Sequence, residues 1–233
     1  MREVIGIIGA MDEEVIKLKD CLTDVTIKNI ASMEFFEGKL SDKDVVVVRS
    51  GIGKVNAAIC AQILADIYHV DAIINTGIAG SLNADINIGD IVLSEDALQH
   101  DVDAVAFGYD VSVIPRMETS LFRADQRLID IAKSACEDNI KDINVYVGRI
   151  VSGDQFISDK DKKDYLIKTF NGDCTEMEGA AIAHAAYLNN IPFLIIRAIS
   201  DKADDSAHMD YPEFEKKAIN NSVILLKAMI ENM

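Results

Sequence analysis

At 233 residues, nearly half of them hydrophobic, the chain has enough material for one sizeable core, and a single domain over residues 1–233 is expected. Its 39 acidic against 23 basic residues give a formal net charge of −16. Such a surface repels phosphate backbones and anionic lipid, which argues against nucleic-acid and membrane partners. The four cysteines stand far apart without a C-x-x-C, and the histidines form no H-x-x-x-H or mixed Cys/His cluster. A disulfide framework and a structural zinc site therefore have no support, and free buried thiols in a reducing compartment are expected.

Val4 to Gly9 is an apolar run that predicts a buried strand. It meets Asp12-Glu13-Glu14 at once, without a basic leader or a cleavage site, so a cytoplasmic protein is expected. Asp12 to Cys21 follows with Val15, Leu18 and Leu22 at helical spacing and its acids in the first turn. Val25 to Leu40 and Lys43 to Ser50 predict a hairpin or meander, with Gly38 and Ser41-Asp42 as turn residues.

The run Val45 to Val48 ends in Ser50-Gly51-Ile52-Gly53-Lys54, which resembles half a phosphate loop. Val48 stands where that loop needs its first glycine, so a P-loop is excluded and a glycine turn into a helix from Lys54 to about Tyr68 remains. Asp71 to Asn75 predicts another buried strand, ending in a glycine-rich turn, Thr76-Gly77-Ile78-Ala79-Gly80. This is not G-x-G-x-x-G, so a dinucleotide site has no support. Gly89 to Ser94 predicts a short strand. Between His100 and Pro115 the apolar residues Val105, Phe107, Tyr109, Val111 and Val113 alternate with smaller or polar ones. An apolar projection of this kind returns to its own core or is buried by a partner subunit, and a homodimer contact is the preferred reading.

Asp125 to Glu137 predicts an amphipathic helix, Val145 to Val151 a strand and Asp159 to Phe170 a charged surface helix. Glu176 and Glu178 then precede an alanine-rich helix, Ala180 to Asn189, that must pack closely on all sides. Glu178, at the mouth of that helix, is expected to stay ionised. Phe193 to Ile196 predicts a strand buried on both faces. Arg197 interrupts it, and a guanidinium inside a buried strand needs an anionic partner. Ser200-Asp201 ends it, where open α/β sheets place their ligands. A last helix is expected to start near Tyr211-Pro212, with the proline in its first turn. Strands alternating with helices give an α/β fold, a three-layer helix–sheet–helix sandwich around a central twisted mixed sheet.

Taken together, Gly9-Ala-Met-Asp-Glu-Glu14, Ser50-Gly-Ile-Gly-Lys-Val55, Asn75-Thr-Gly-Ile-Ala-Gly80, Val151-Ser-Gly-Asp-Gln-Phe156, Glu176-Met-Glu178 and Arg197-Ala-Ile-Ser-Asp201 resemble, in this order and over essentially the whole chain, the bacterial 5′-methylthioadenosine/S-adenosylhomocysteine nucleosidases of the nucleoside phosphorylase superfamily. No single motif is specific; the ordered set is. The resemblance implies hydrolysis of the N-glycosidic bond of 5′-thio-substituted adenosines, and of 5′-deoxyadenosine, in methionine salvage, with no metal or cofactor. It makes Asp201 the acid that protonates N7 of the leaving adenine, with Ser200 orienting it, and Glu14 the acid that activates the attacking water. Arg197 would stand near that water and Glu178. Glu178, Met177 and Glu176 would belong to the sugar site, Phe156 would stack on adenine, and the backbone of Ile157 would read its edge. Ile78, Ala79 and Gly80 would flank base and sugar. Met11, Ile52 and Tyr211 would form the 5′-alkylthio pocket, closed by Phe107, Tyr109 and Pro115 from the other subunit, within segment 100–117. Tyr211 departs from the phenylalanine common in the family, and Ile78 from smaller residues.

The chemistry fits these residue types. Adenine leaves poorly as an anion, so it needs a carboxylic acid kept neutral near neutral pH. The sugar becomes oxocarbenium-like, which carboxylates stabilise. A second carboxylate, across the sugar, serves the water, as in inverting glycosidases. The rival readings are a purine nucleoside phosphorylase, which needs a cationic phosphate site, a nucleosidase for another adenine nucleoside such as a futalosine, and a nucleoside-binding module without turnover.

Overall fold

The computed structural model describes residues 3–141, 143–204 and 207–233, without the side chains of 207–213 and 215. The chain opens with β1 (Val4–Gly9), α1 (Asp12–Lys19), then β2 (Thr23–Ile30), β3 (Met33–Leu40) and β4 (Lys43–Arg49). It continues through α2 (Lys54–Tyr68), β5 (Ala72–Ser81), β6 (Ile91–Gln99), β7 (Phe122–Arg123) and α3 (Gln126–Asn139). The last third comprises β8 (Val145–Ser152), α4 (Lys160–Phe170), β9 (Cys174–Glu176), α5 (Gly179–Leu188), β10 (Phe193–Asp201) and α6 (Ala207–Glu231).

The four apolar runs become the parallel centre of the sheet, in the order β4-β1-β5-β10. The antiparallel meander β4-β3-β2 extends it on one side. On the other side the sheet curls. β10 pairs antiparallel with β6, β6 parallel with β8, and β8 parallel with β9; β9 returns to pair antiparallel with β5. Five strands thus close a ring beside an open wing.

Alternate residues of each central strand face opposite layers. Ile5, Ile7, Val45, Val47, Leu194 and Ile196 pack on α1, α3 and α6, through Val15, Leu18, Leu128, Ala132, Leu225 and Leu226. Ile8, Val46, Val48, Ile73 and Ile195 pack on α2 and α5, through Ala57, Ala61, Leu64, Ala180 and Ala183. The expected helix–sheet–helix layering is present. No helix among the described residues is long and apolar enough to cross a membrane.

Several local expectations are corrected. Gly38 lies inside β3; the β2–β3 hairpin turns at Ala31-Ser32, with φ of 50° and 62°, while the expected turn at Ser41-Asp42, with φ of 49° and 64°, does join β3 to β4, both pairs being left-handed as strand twist requires. Thr76 to Gly80 is part of β5, not a turn, because it has ladder partners in both β10 and β9. The segment from Val105 to Val113, for which no regular element was expected, holds a short 3₁₀ turn (Val105–Phe107) and loops. α6 begins at Ala207, so Pro212 falls inside it. Cys60, Cys136 and Cys174 are buried free thiols, but Cys21 is exposed.

Candidate active site

The carboxyl ends of β1, β4, β5 and β10 lie along one edge, since these strands are parallel. The residues that follow or end them line one cleft of about 360 Å³. Of the residues singled out in the sequence, Met11, Glu14, Ile52, Ile78, Ala79, Gly80, Phe156, Glu176, Met177, Glu178, Ser200 and Asp201 all line it. Ile157 joins Phe156, Met177 and Asp201 around a small extension of the same cleft. Arg197 is buried and is not among the lining residues. Phe107, Tyr109 and Pro115 do not line the cleft either; Phe107 is 84 % exposed. Tyr211 lies outside the residues whose side chains are described. Sequence reasoning missed Ala10 and Thr175, which also line the cleft. Small and hydroxyl side chains carried no signal there.

Glu14 sits in the first turn of α1, whose start bends its carboxylate back onto the chain. Oε2 accepts from the N–H groups of Ala10 at 2.6 Å and Met11 at 3.0 Å, and Oε1 from that of Ile78 at 3.4 Å. It is buried, and burial raises its pKa above the ordinary value against the pull of these N–H groups and of Arg197. Room for it comes from Gly77, where an added Cβ would lie 2.8 Å from Glu14 Oε1.

Arg197 finds its anion in Glu176. Its Nε donates to Glu176 Oε2 at 3.2 Å, and its Nη2 donates both to that oxygen and to Asn75 Oδ1. Asn75 is oriented in turn by donating to the Ile8 carbonyl at 2.9 Å. Glu176 also accepts from Ser152 Oγ and from the N–H groups of Glu178 at 3.1 Å and Gly179 at 2.7 Å. Burial opposes its charge, but Arg197 and these donors hold its carboxyl below the ordinary value. The guanidinium is therefore paired with Glu176, and not with Glu178.

Glu178 caps α5 in sequence but not in hydrogen bonding: its Oε1 accepts from the Gly53 N–H, at the start of α2, at 2.8 Å. The helix position favours its ionised form, but its surroundings oppose it: burial and the neighbouring Glu176 charge push it up to about 8, against the pull of the Gly53 N–H and Arg197.

Asp201 ends β10 just past a bulge, where the ladder with β5 shifts register between Ile199 and Asp201. A bulge re-aims the side chains around it. Ser200 Oγ donates to Asp201 Oδ2 at 2.9 Å, and the Ala203 N–H to Oδ1 at 2.8 Å. Gly80 is the cross-strand partner of Asp201; a Cβ there would lie 2.7 Å from Asp201 Oδ1. The cleft thus presents four carboxyl groups, and the described lining residues include no lysine or arginine. Among the described residues no group of three or more His, Cys, Asp or Glu side chains is placed to hold a metal ion.

A family profile, the phosphorylase superfamily, matches residues 4–231. A 5′-methylthioadenosine/S-adenosylhomocysteine nucleosidase of an Exiguobacterium species is 41 % identical over 230 residues, 98 % of each chain. The crystal structure of such a nucleosidase from Colwellia psychrerythraea, in complex with adenine, superposes with a TM-score of 0.94 at 38 % identity, covering 99 % of this chain and 95 % of that one. The native structure of a Helicobacter pylori futalosine hydrolase superposes with a TM-score of 0.92 at 31 % identity, covering 99 % and 98 %. Full-length similarity at this level, joined to the ordered strand-end residues around one cleft, places the chain in the phosphorylase superfamily and, within it, in the family of 5′-methylthioadenosine/S-adenosylhomocysteine nucleosidases.

Proposed function

We propose that this protein hydrolyses the N-glycosidic bond of 5′-methylthioadenosine and S-adenosylhomocysteine, releasing adenine and the 5-thioribose product. The observation that carries the hydrolytic reading is that no cation stands among the described residues lining the cleft. The described lining residues include no lysine or arginine to hold a phosphate nucleophile, and Arg197 behind them is paired with Glu176, so an anion finds no cationic seat and water needs none. Asp201, held through both oxygens by Ser200 and Ala203, protonates N7 of the departing adenine. Glu14 holds and activates the water. Support for Arg197 near that water comes from Gly77, where an added Cβ would touch both Glu14 Oε1 and Arg197 Nη1, at 2.8 and 3.3 Å. Glu178 and Met177 take the sugar, and Glu176, fixed by Arg197, stabilises the positive charge that develops on it. Phe156, half exposed at the rim, stacks on the base beside Ile157. Met11 and Ile52 form the apolar wall for the 5′ substituent.

The chain acts as one catalytic domain, and two copies pair. Val55 at 69 % and Leu188 at 63 % exposure flank an open groove between α2 and α5, and Phe107 stands out from segment 100–117. Apolar surface of this kind is buried on association. In the pair, Phe107, Tyr109 and Pro115 reach the partner's alkylthio pocket.

The test is adenine release from 5′-methylthioadenosine with and without inorganic phosphate, followed by analysis of the sugar. Free thioribose in phosphate-free buffer is expected. A sugar 1-phosphate formed only with phosphate would make the enzyme a phosphorylase. No release under either condition would direct attention to other 5′-substituted adenosines, and then to binding without turnover.

A further inference from the structure

Lys54 is the first residue of α2, and its charge is the wrong sign for a helix N-terminus. The helix has no acid in its first turn and no side-chain cap of its own. Carboxylates from distant segments serve instead. The Gly53 N–H donates to Glu178 at 2.8 Å, and the Lys54 N–H to Asp154 Oδ1 at 2.8 Å. Lys54 Nζ donates to Asp101 Oδ1 at 2.5 Å and to Gln99 Oε1 at 3.1 Å. Asp101 Oδ2 accepts from the Asp154 N–H at 3.0 Å, which closes a three-cornered clamp. The Lys54 and Asp101 side chains are each only 17 % exposed, so this is not a screened surface pair.

Two corners lead to this cleft, and the third to the segment proposed to reach the partner's. Gly53 follows Ile52 and anchors Glu178. Asp154 stands two residues before Phe156, and Asp101 begins the segment that carries Phe107, Tyr109 and Pro115. We propose that Lys54 is a positioning residue: through Asp101 and Asp154 it sets the relative placement of the sugar-binding and base-binding walls. The inference rests on the nucleosidase reading for the identity of those walls.

The experiment compares wild type with Lys54→Met, Asp101→Asn and the double variant, each at a temperature where circular dichroism shows it folded. Two readouts are taken: steady-state kinetics on 5′-methylthioadenosine, and adenine affinity by calorimetry. Lys54 touches no reacting atom, so the expected loss is about tenfold in KM and in adenine affinity, with kcat changed less than about threefold. The double variant should be no worse than the poorer single one, because the two side chains act as one unit. Unchanged KM and adenine affinity in the folded variants, with only a lowered melting temperature, would overturn the proposal, as would strictly additive losses. If Lys54→Met does not fold, Lys54→Gln with Asp101→Asn carries the same comparison. Wild type that binds adenine but releases none would sink the nucleosidase reading, while the calorimetric comparison would still judge the clamp.

Discussion

Asp201, proposed to protonate the base, and Glu178, proposed to hold the sugar, are built differently, and single substitutions separate their roles. Asp201 is gripped by a hydroxyl and an N–H at its two oxygens. Asp201→Asn keeps that shape and removes the acid, so kcat should fall by roughly 10²–10⁴-fold while substrate affinity changes little. Stopped-turnover kinetics with calorimetry would check this, and near-normal turnover would refute the assignment. Glu178 offers a test by pH. Folding raises it from the ordinary carboxyl value of 4.5 to about 8, so the native state holds its proton more tightly than the unfolded chain does. Its stabilising contribution is full below the ordinary carboxyl range and is lost as pH rises toward about 8. Wild type should therefore lose several degrees more in melting temperature between about pH 5 and about pH 8 than Glu178→Gln, which cannot titrate there. Parallel melting curves for the two proteins would contradict it.

Among the elements, β5 and β10 carry the site between them. Gly77 and Gly80 keep β5 bare where Glu14 and Asp201 press against it. Gly80→Ala should leave the fold intact, displace Asp201 and lower kcat by roughly 10²-fold, as misplacement of about an ångström does; unaltered kcat would show that the gap is not needed. These glycines also mark where sequence reading stopped. The apolar runs announced β1, β4, β5 and β10, and helical spacing announced α1 to α5, because both signals are local. That Thr76 to Gly80 continues a strand was not legible, since two glycines beside a strand end carry the local signature of a turn. Their reason lies in Glu14, 63 residues earlier, and in Asp201, more than a hundred later. Arg197 announced its need for an anion, but Asn75 and Ser152, which direct that need to Glu176, gave no sign in the sequence. For Glu178, likewise, the helix position was visible and the burial beside Glu176 was not.

For the molecule as a whole, the proposed pairing is checked by its mass in solution. Light scattering should give about twice the 25.5 kDa of one chain, and a value near 25.5 kDa would remove the partner's residues from the pocket. The strongly acidic surface favours neutral or cationic ligands over phosphate esters, in keeping with the cleft it surrounds. The closed ring of β5, β10, β6, β8 and β9 has a further consequence, for traffic. β10 is laddered to β6 as far as Ala198 and to β5 as far as Asp201, whose partner is Gly80, so the backbone that carries this carboxyl group is tied to the sheet. The floor of the cleft is fixed, and passage of nucleoside in and adenine out falls to its rim, where Ile52 and Phe156 stand half exposed. The chemistry is thus anchored in ladders, and the doorway is left to loops, where changes of 5′ substituent are accommodated without disturbing the acid.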